Sequence, residues 1–194
     1  MAQEDVKPAW SWLGRPLAVD LANTVIPTAT GIRELLTDAS ALDGWLAAVA
    51  PRLEPLESGA TTKRLGDFLL LRDAVRTTFG WLVDPGGPPP VPSVDALNGA
   101  VAAAPAVLAL STGSEGPVFD RRLDAGLPST RALAIIAAEA VSLAAGEHSG
   151  RLGRCTAPGC GAFFVGSRSR QHWCSPACGN RARVARHAQR ARQG

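Results

Sequence analysis

Four cysteines, the full complement of a 194-residue chain, lie in one short segment with the spacing C-x4-C-x13-C-x3-C: Cys155, Cys160, Cys174 and Cys178. Two thiolate pairs on short loops form the donor set that Zn²⁺ takes in a closed tetrahedral site. In CTAPGC, Pro158 and Gly159 can turn the backbone so that both sulfurs face inward. Ser175 and Pro176 are N-cap and first-turn residue types, so Cys178 is expected in the first turn of a helix, where the helix dipole favours a thiolate. The spacer GAFFVGSRSRQHW has the length of a hairpin, and Phe163, Phe164 and Trp173 are available to cover the metal. Knuckle, hairpin and helix in that order form a treble-clef arrangement holding one zinc per chain. Disulfides and four unliganded buried thiols are the competing readings. A reducing compartment disfavours the first, and the use of every cysteine in two pairs disfavours the second. His172 adjoins Cys174 too closely to replace it, and His187 lies about three turns along the helix, so both are read as nucleic-acid contacts or solvated residues. A metal-dependent nuclease on this scaffold would need acidic partners, and residues 151–194 contain none.

Charge points to the partner. Residues 1–150 carry 11 Lys/Arg against 17 Asp/Glu, a balance of −6, whereas residues 151–194 carry nine arginines and no lysine or acid. A basic tail behind an acidic body implies a polyanion. From Ser175 to Arg192 a helix would extend about 27 Å, with Arg183, Arg186 and Arg190 in one outward stripe and His187 beside it. Arg181 falls with Val184, Ala185 and Ala188 on the face expected to pack against the finger. Arginine favours bidentate contact with phosphate or guanine. Arg168 and Arg170 on the expected hairpin extend the positive surface. The apolar side is too rich in alanine for membrane insertion, so no membrane partner is expected.

The elements that must carry this tail are mostly helical. LAVDLANTVIP is an apolar run, read as one buried helix or strand, with Asp20, Asn23 and Thr24 embedded in it. Such groups must be hydrogen-bonded to protein or to a ligand, which makes them a candidate ligand pocket, with bonding to neighbouring protein the simpler account. DASALDGWLAAVA reads as a helix capped by Asp38 or Ser40 that buries Leu42, Trp45, Leu46 and Val49. A second helix is expected from about Thr62 to Val83. The proline-rich DPGGPPPVPS breaks it, and Ser93 is the candidate cap of a short helix that follows. Val107–Leu110 and Val118–Phe119 flank a turn and predict a hairpin. A long helix starts at Ser129 and ends at Gly146 as its C′ residue. The fold class is therefore mainly α: an α-helical body with a small β-hairpin over 1–150, then a treble-clef-like finger over 151–194. The first residues have no signal-peptide pattern and no run is long enough to span a membrane, so a cytoplasmic protein is expected. The body has no cysteine, a single histidine (His148) and no phosphate-binding glycine loop, so no catalytic residue and no enzyme activity are expected.

WCS followed by CGNR, Cys178 to Arg181, closely resembles the CGNR zinc finger of bacterial stress-induced transcription regulators. LAVDLANTV resembles the start of that family's N-terminal ABATE domain, and RELLTDASALDGWLAA and the late helix follow in the expected order. The resemblance covers nearly the whole chain. It implies that Cys155, Cys160, Cys174 and Cys178 hold zinc and that the protein regulates transcription by binding DNA. Where the family often has an aspartate in a longer hairpin, this chain has Gly166 in a tighter FFVGSRSRQHWC. The body is then expected to dimerise or to sense a small-molecule effector. The rival readings are a zinc-stabilised RNA-binding or protein-interaction module and a thiol redox sensor. A final expectation is that metal removal unfolds residues 151–194 and spares the body.

Overall fold

The computed structural model describes residues 15–28, 31–53, 64–114, 116–122, 126–146, 149–167 and 171–193. Its first apolar run divides into two elements rather than one. Helix α1 (Leu17–Ala22) is wholly buried. The chain turns at Asn23 and Thr24 and continues as strand β1 (Val25–Thr28), paired antiparallel with β2 (Gly31–Glu34). β-branched Val25, Ile26 and Thr28 favour the strand, and Gly31, at φ 143°, permits the tight return.

Helix α2 (Ala39–Val49) forms as expected. The Asp38 side chain accepts a hydrogen bond from the Ala41 amide at 2.9 Å, and Leu42, Trp45, Leu46 and Val49 are buried. Helix α3 (Leu65–Val83) crosses the body and lays Phe68, Val75 and Phe79 into the core, where Trp45 meets Phe68 edge-on with centroids 6.5 Å apart. Helix α4 (Val91–Ala102) starts two residues before the expected cap, Ser93. Pro90 takes the N-cap place and Pro92 sits in the first turn, where its missing amide has no helical acceptor to lose.

The hairpin β3 (Val107–Gly113) and β4 (Gly116–Arg122) forms as read from the sequence. Helix α5 (Pro128–Ala145) is capped by Leu127 rather than Ser129, again because proline occupies its first position. Ser129 is buried in the first turn and accepts from Arg64 Nε at 3.2 Å. Gly146 does end α5, but in an ordinary extended conformation at φ −86°. What requires glycine there is crowding: a Cβ would lie 2.3 Å from the Ser142 carbonyl oxygen.

After α5, strands β5 (Leu152–Arg154) and β6 (Phe163–Val165) pair antiparallel, and helix α6 (Pro176–Gln193) closes the described chain. The strand pair brackets the first two cysteines, so the knuckle is itself the hairpin's turn; the expected hairpin after Cys160 contributes only β6 to the described pairing. Alternation along β6 sends Phe163 into the body's core and Phe164 onto the cysteine cluster. The molecule is mainly α-helical with small antiparallel hairpins. Among the described residues, no helix is long and apolar enough to cross a membrane.

Candidate metal centre and basic helix

The knuckle folds on two left-handed glycines, Gly159 at φ 68° and Gly161 at φ 66°. Backbone bonds from Cys160 to Ala157 (3.0 Å) and from Gly161 to Cys155 (3.2 Å) close the turn. Across from it, the Cys178 amide donates to Ser175 Oγ at 3.2 Å, the N-cap bond expected for α6. These two devices bring the four sulfurs together. All lie within 4.8 Å of one another, with Cys160 and Cys174 at 3.7 Å and Cys174 and Cys178 at 3.5 Å. Sulfurs at about 2.3 Å from a tetrahedral zinc would be about 3.8 Å apart. The donor set and its spacing therefore fit a metal ion, and no histidine joins the cluster among the described residues.

The protons fit too. Burial pushes the Cys160 thiol well above its ordinary range and raises the Cys174 thiol as well. Burial pushes Cys178 the same way, but hydrogen bonds with Ser175 and the neighbouring sulfurs outweigh it and lower its pKa. A metal binding here must displace protons from the raised thiols.

Each residue of CGNR except Asn180 acquires a visible task. Cys178 supplies a sulfur. Gly179 lets the Trp173 ring lie against the helix, since a Cβ there would come to 3.1 Å from the ring. Arg181 donates from Nη2 to Cys178 Sγ at 3.2 Å, a partner the sequence did not reveal. Asn180 is exposed.

The finger is bolted to the body. Asn23 pairs with the Phe163 backbone as a neighbouring strand would: Nδ2 donates to Phe163 O at 2.9 Å, and Phe163 N donates to Oδ1 at 2.9 Å. Arg15 donates to Phe163 O at 3.0 Å and to Cys174 O at 3.1 Å. The Phe163 ring meets Phe79 edge-on with centroids 5.8 Å apart, and the guanidinium groups of Arg76 and Arg154 each lie 5.7 Å from its centroid. Gly161 also serves this docking, because a Cβ would sit 2.9 Å from Pro27 of β1. A residue like Arg15, outside any periodic pattern, leaves no sequence signal of such a role. Asn23→Ala strands the buried Phe163 amide and leaves its carbonyl to Arg15 alone. It is expected to cost about 2–4 kcal/mol of stability, measured by denaturant unfolding of the metal-loaded protein; a loss below about 0.5 kcal/mol would show that the bond pair is dispensable.

The embedded polar trio is thus accounted for by protein partners. Asp20, fully buried, pairs with Arg52 Nη2 at 2.6 Å, and Arg52 also donates to the Arg15 carbonyl. Thr24 donates to Leu21 O at 2.8 Å and receives Arg72 Nη1 at 3.3 Å, while Arg72 also pairs with Glu34 at 2.6 Å. Asn23 also lines a cavity. Glu139 of α5 completes this network by accepting from the Ala18 amide at 2.9 Å. Burial raises its pKa, opposed by that amide and by Arg52. A carboxyl whose folded pKa exceeds its unfolded value contributes most to stability at low pH, and stability falls as pH rises toward and through the folded pKa. Glu139→Gln keeps the acceptor and removes that titration. The stability of the variant minus that of the parent is therefore expected to grow from pH 4 to neutrality; a pH-independent difference in paired unfolding curves would contradict this.

Helix α6 presents its charges differently from the expected faces. Cys178, Gly179 and Ala182 are buried against the finger, while Val184 is 61% exposed and Ala188 is exposed as well. Arg181 lies on one shoulder, reaching the metal site, and Arg186 on the other, with its guanidinium 5.9 Å from the centre of the Trp173 ring. The faces shift because helix packing is set by where Cys178 must point, not by the alanine-rich stripe. Arg183, Arg186, His187 and Arg190 line one shared surface groove, as the sequence reading grouped them. Arg168 and Arg170 lie outside the described residues.

A helical body followed by four clustered cysteines and a basic helix defines a protein with a finger-like candidate metal site. Residues 15–147 match the ABATE family, described as "putative stress-induced transcription regulator", and residues 151–191 match the CGNR zinc finger. The chain belongs to the ABATE family and ends in a CGNR finger. No curated protein matches it.

Proposed function

We propose that the protein is a zinc-dependent, DNA-binding transcription regulator. One zinc is held by Cys155, Cys160, Cys174 and Cys178, and DNA is engaged by Arg183, Arg186, His187 and Arg190, with Arg168 and Arg170 as further contacts. The observation that carries this reading is the coupling of two features in one helix. Its first turn holds a cysteine of the cluster, and its next four turns present arginine outward in a segment, 151–194, that contains no acid. Such a helix suits a groove whose walls are phosphate. The ABATE description supports regulation of transcription as its purpose.

One finger offers a small interface, so the working form is a homodimer joined through the body, acting in the cytoplasm without a membrane partner. The β3–β4 hairpin, which exposes Val107 and Val118 on one face, offers such a joining surface. The deciding experiment is selection from random duplexes with the metal-loaded full chain, followed by titration against the enriched duplex, the matching RNA and a chelated sample. Enrichment of a paired half-site, lost on chelation, is expected. Equal or tighter binding to RNA would replace this reading with the RNA-binding one.

A further inference from the structure

Between the body and the finger lies a cavity of about 260 Å³ with apolar walls from Val25, Ile26 and Pro27 on one side and Ala162 on the other. The sulfur-bearing residues Cys160 and Cys174 also line it, and among the described residues its charged lining is Arg15 and Arg181 with no acid. Asn23 reaches it too, but both ends of its amide are engaged by Phe163. An arginine has five N–H donors. Arg15 gives one N–H to Phe163 O and one to Cys174 O and also interacts with the Cys174 thiol, while Arg181 gives one to Cys178 Sγ. Behind the β1 wall, Arg76 donates to the carbonyls of Ala22 and Val25. Its pKa is lowered by burial first and then by the charges of Arg154 and Arg72. Arg72 is paired with Glu34 and Asp73, so the cations that face the cavity itself are Arg15 and Arg181.

We propose that this cavity binds a small organic carboxylate with an apolar body. The carboxylate would take the remaining N–H groups of Arg15 and Arg181 in charge-assisted bonds, while the hydrocarbon part covers Val25, Ile26, Pro27 and Ala162. A bare phosphate would leave those walls wet, and a neutral apolar molecule would leave the arginine donors unmatched. The volume suits a ligand of modest size, near the lower limit of small-molecule sites. The occupant touches β1 of the body and, through Arg181, the first turn of α6, so it is placed to alter DNA engagement. That consequence rests on the DNA-binding reading; the binding itself does not.

The test follows amide resonances of the metal-loaded full chain as 3-phenylpropionate is added, with 3-phenylpropan-1-ol and 3-phenylpropylamine as neutral and cationic controls. Saturable shifts centred on Ile26 and Ala162 are expected, with the alcohol at least about tenfold weaker and the amine without effect. Ile26→Trp fills the cavity and should abolish the shifts while metal content stays at that of the parent. Should that variant fail to fold, metal-loaded Arg181→Gln must weaken the carboxylate about tenfold and leave the alcohol unchanged. The proposal is overturned by the absence of saturable shifts, by equal affinity for acid and alcohol, or by shifts confined to the outward arginines of α6. Failure of DNA binding in the same preparation would overturn the regulator reading without touching these outcomes.

Discussion

Chelating the metal is expected to destabilise the body along with the finger. Structural zinc in fingers contributes roughly 10–16 kcal/mol of apparent binding free energy, while whole domains are stable by about 5–15 kcal/mol. Without the ion, the small cluster of Phe164, Ala157 and Ala182 around the cysteines cannot hold the knuckle against α6. In a detachable finger the loss would stop there. Here Phe163 belongs to the body's core, packed on Phe79, with its backbone bonded to Asn23 and Arg15. Releasing β6 withdraws that ring, a loss comparable to a Phe→Ala substitution at about 3–5 kcal/mol. Hydrogen exchange on the full chain should therefore show protection lost over β5, β6 and the start of α6. Protection should also be reduced along α1 and in the central turns of α3. The expectation of an untouched body, drawn from the sequence, treated the charge boundary near Gly150 as a folding boundary. Full protection of α1 and α3 after verified metal loss would restore it.

Composition and charge describe the surface, so they mark a boundary near Gly150 but not that Phe163, beyond it, packs into the body's core. The four cysteines, their zinc-like spacing and the Ser175 cap were readable because metal chemistry and helix capping are local in sequence. So was α2, whose cap and buried face both follow from a short window. Long-range contacts left weaker traces. Phe163 looked like a cover for the metal because it sits three residues after Cys160, yet strand alternation turns it to the opposite side. Asn23 was visible as a buried polar group, but its partner lies 140 residues away. The two misread helix starts share a local cause: at α4 and α5 proline entered the first turn, ahead of the expected caps Ser93 and Ser129. At Thr24, by contrast, a turn divided one apolar run. On α6 the helical period was right and the phase was wrong, because the phase is fixed by Cys178 and by the approach of Trp173 to Gly179.

That phase separates the roles of the arginines. Replacing Arg183, Arg186 and Arg190 together by alanine is expected to reduce affinity for the specific duplex by at least about a hundredfold near physiological salt, at roughly 1–3 kcal/mol per contact. If each tail neutralises about four phosphates, log affinity should fall against log salt with a slope of about −3 to −4 per tail. The triple variant should flatten that slope by most of its value. The single substitutions should differ in kind. Arg183→Ala and Arg190→Ala remove groups that only face outward, so thermal stability should stay unchanged while affinity falls. Arg186→Ala also uncovers the Trp173 ring, adding a stability loss of about 0.5–1 kcal/mol. Arg186→Lys should recover the salt slope but not the full affinity, since lysine keeps the charge and loses the planar, bidentate geometry. Arg181→Ala should act chiefly through the metal site, where its guanidinium bonds Cys178 Sγ, and appear as faster metal loss to a competing chelator. A folded, zinc-loaded triple variant that binds the duplex like the parent would remove α6 from the interface and transfer the assignment to the segment carrying Arg168 and Arg170.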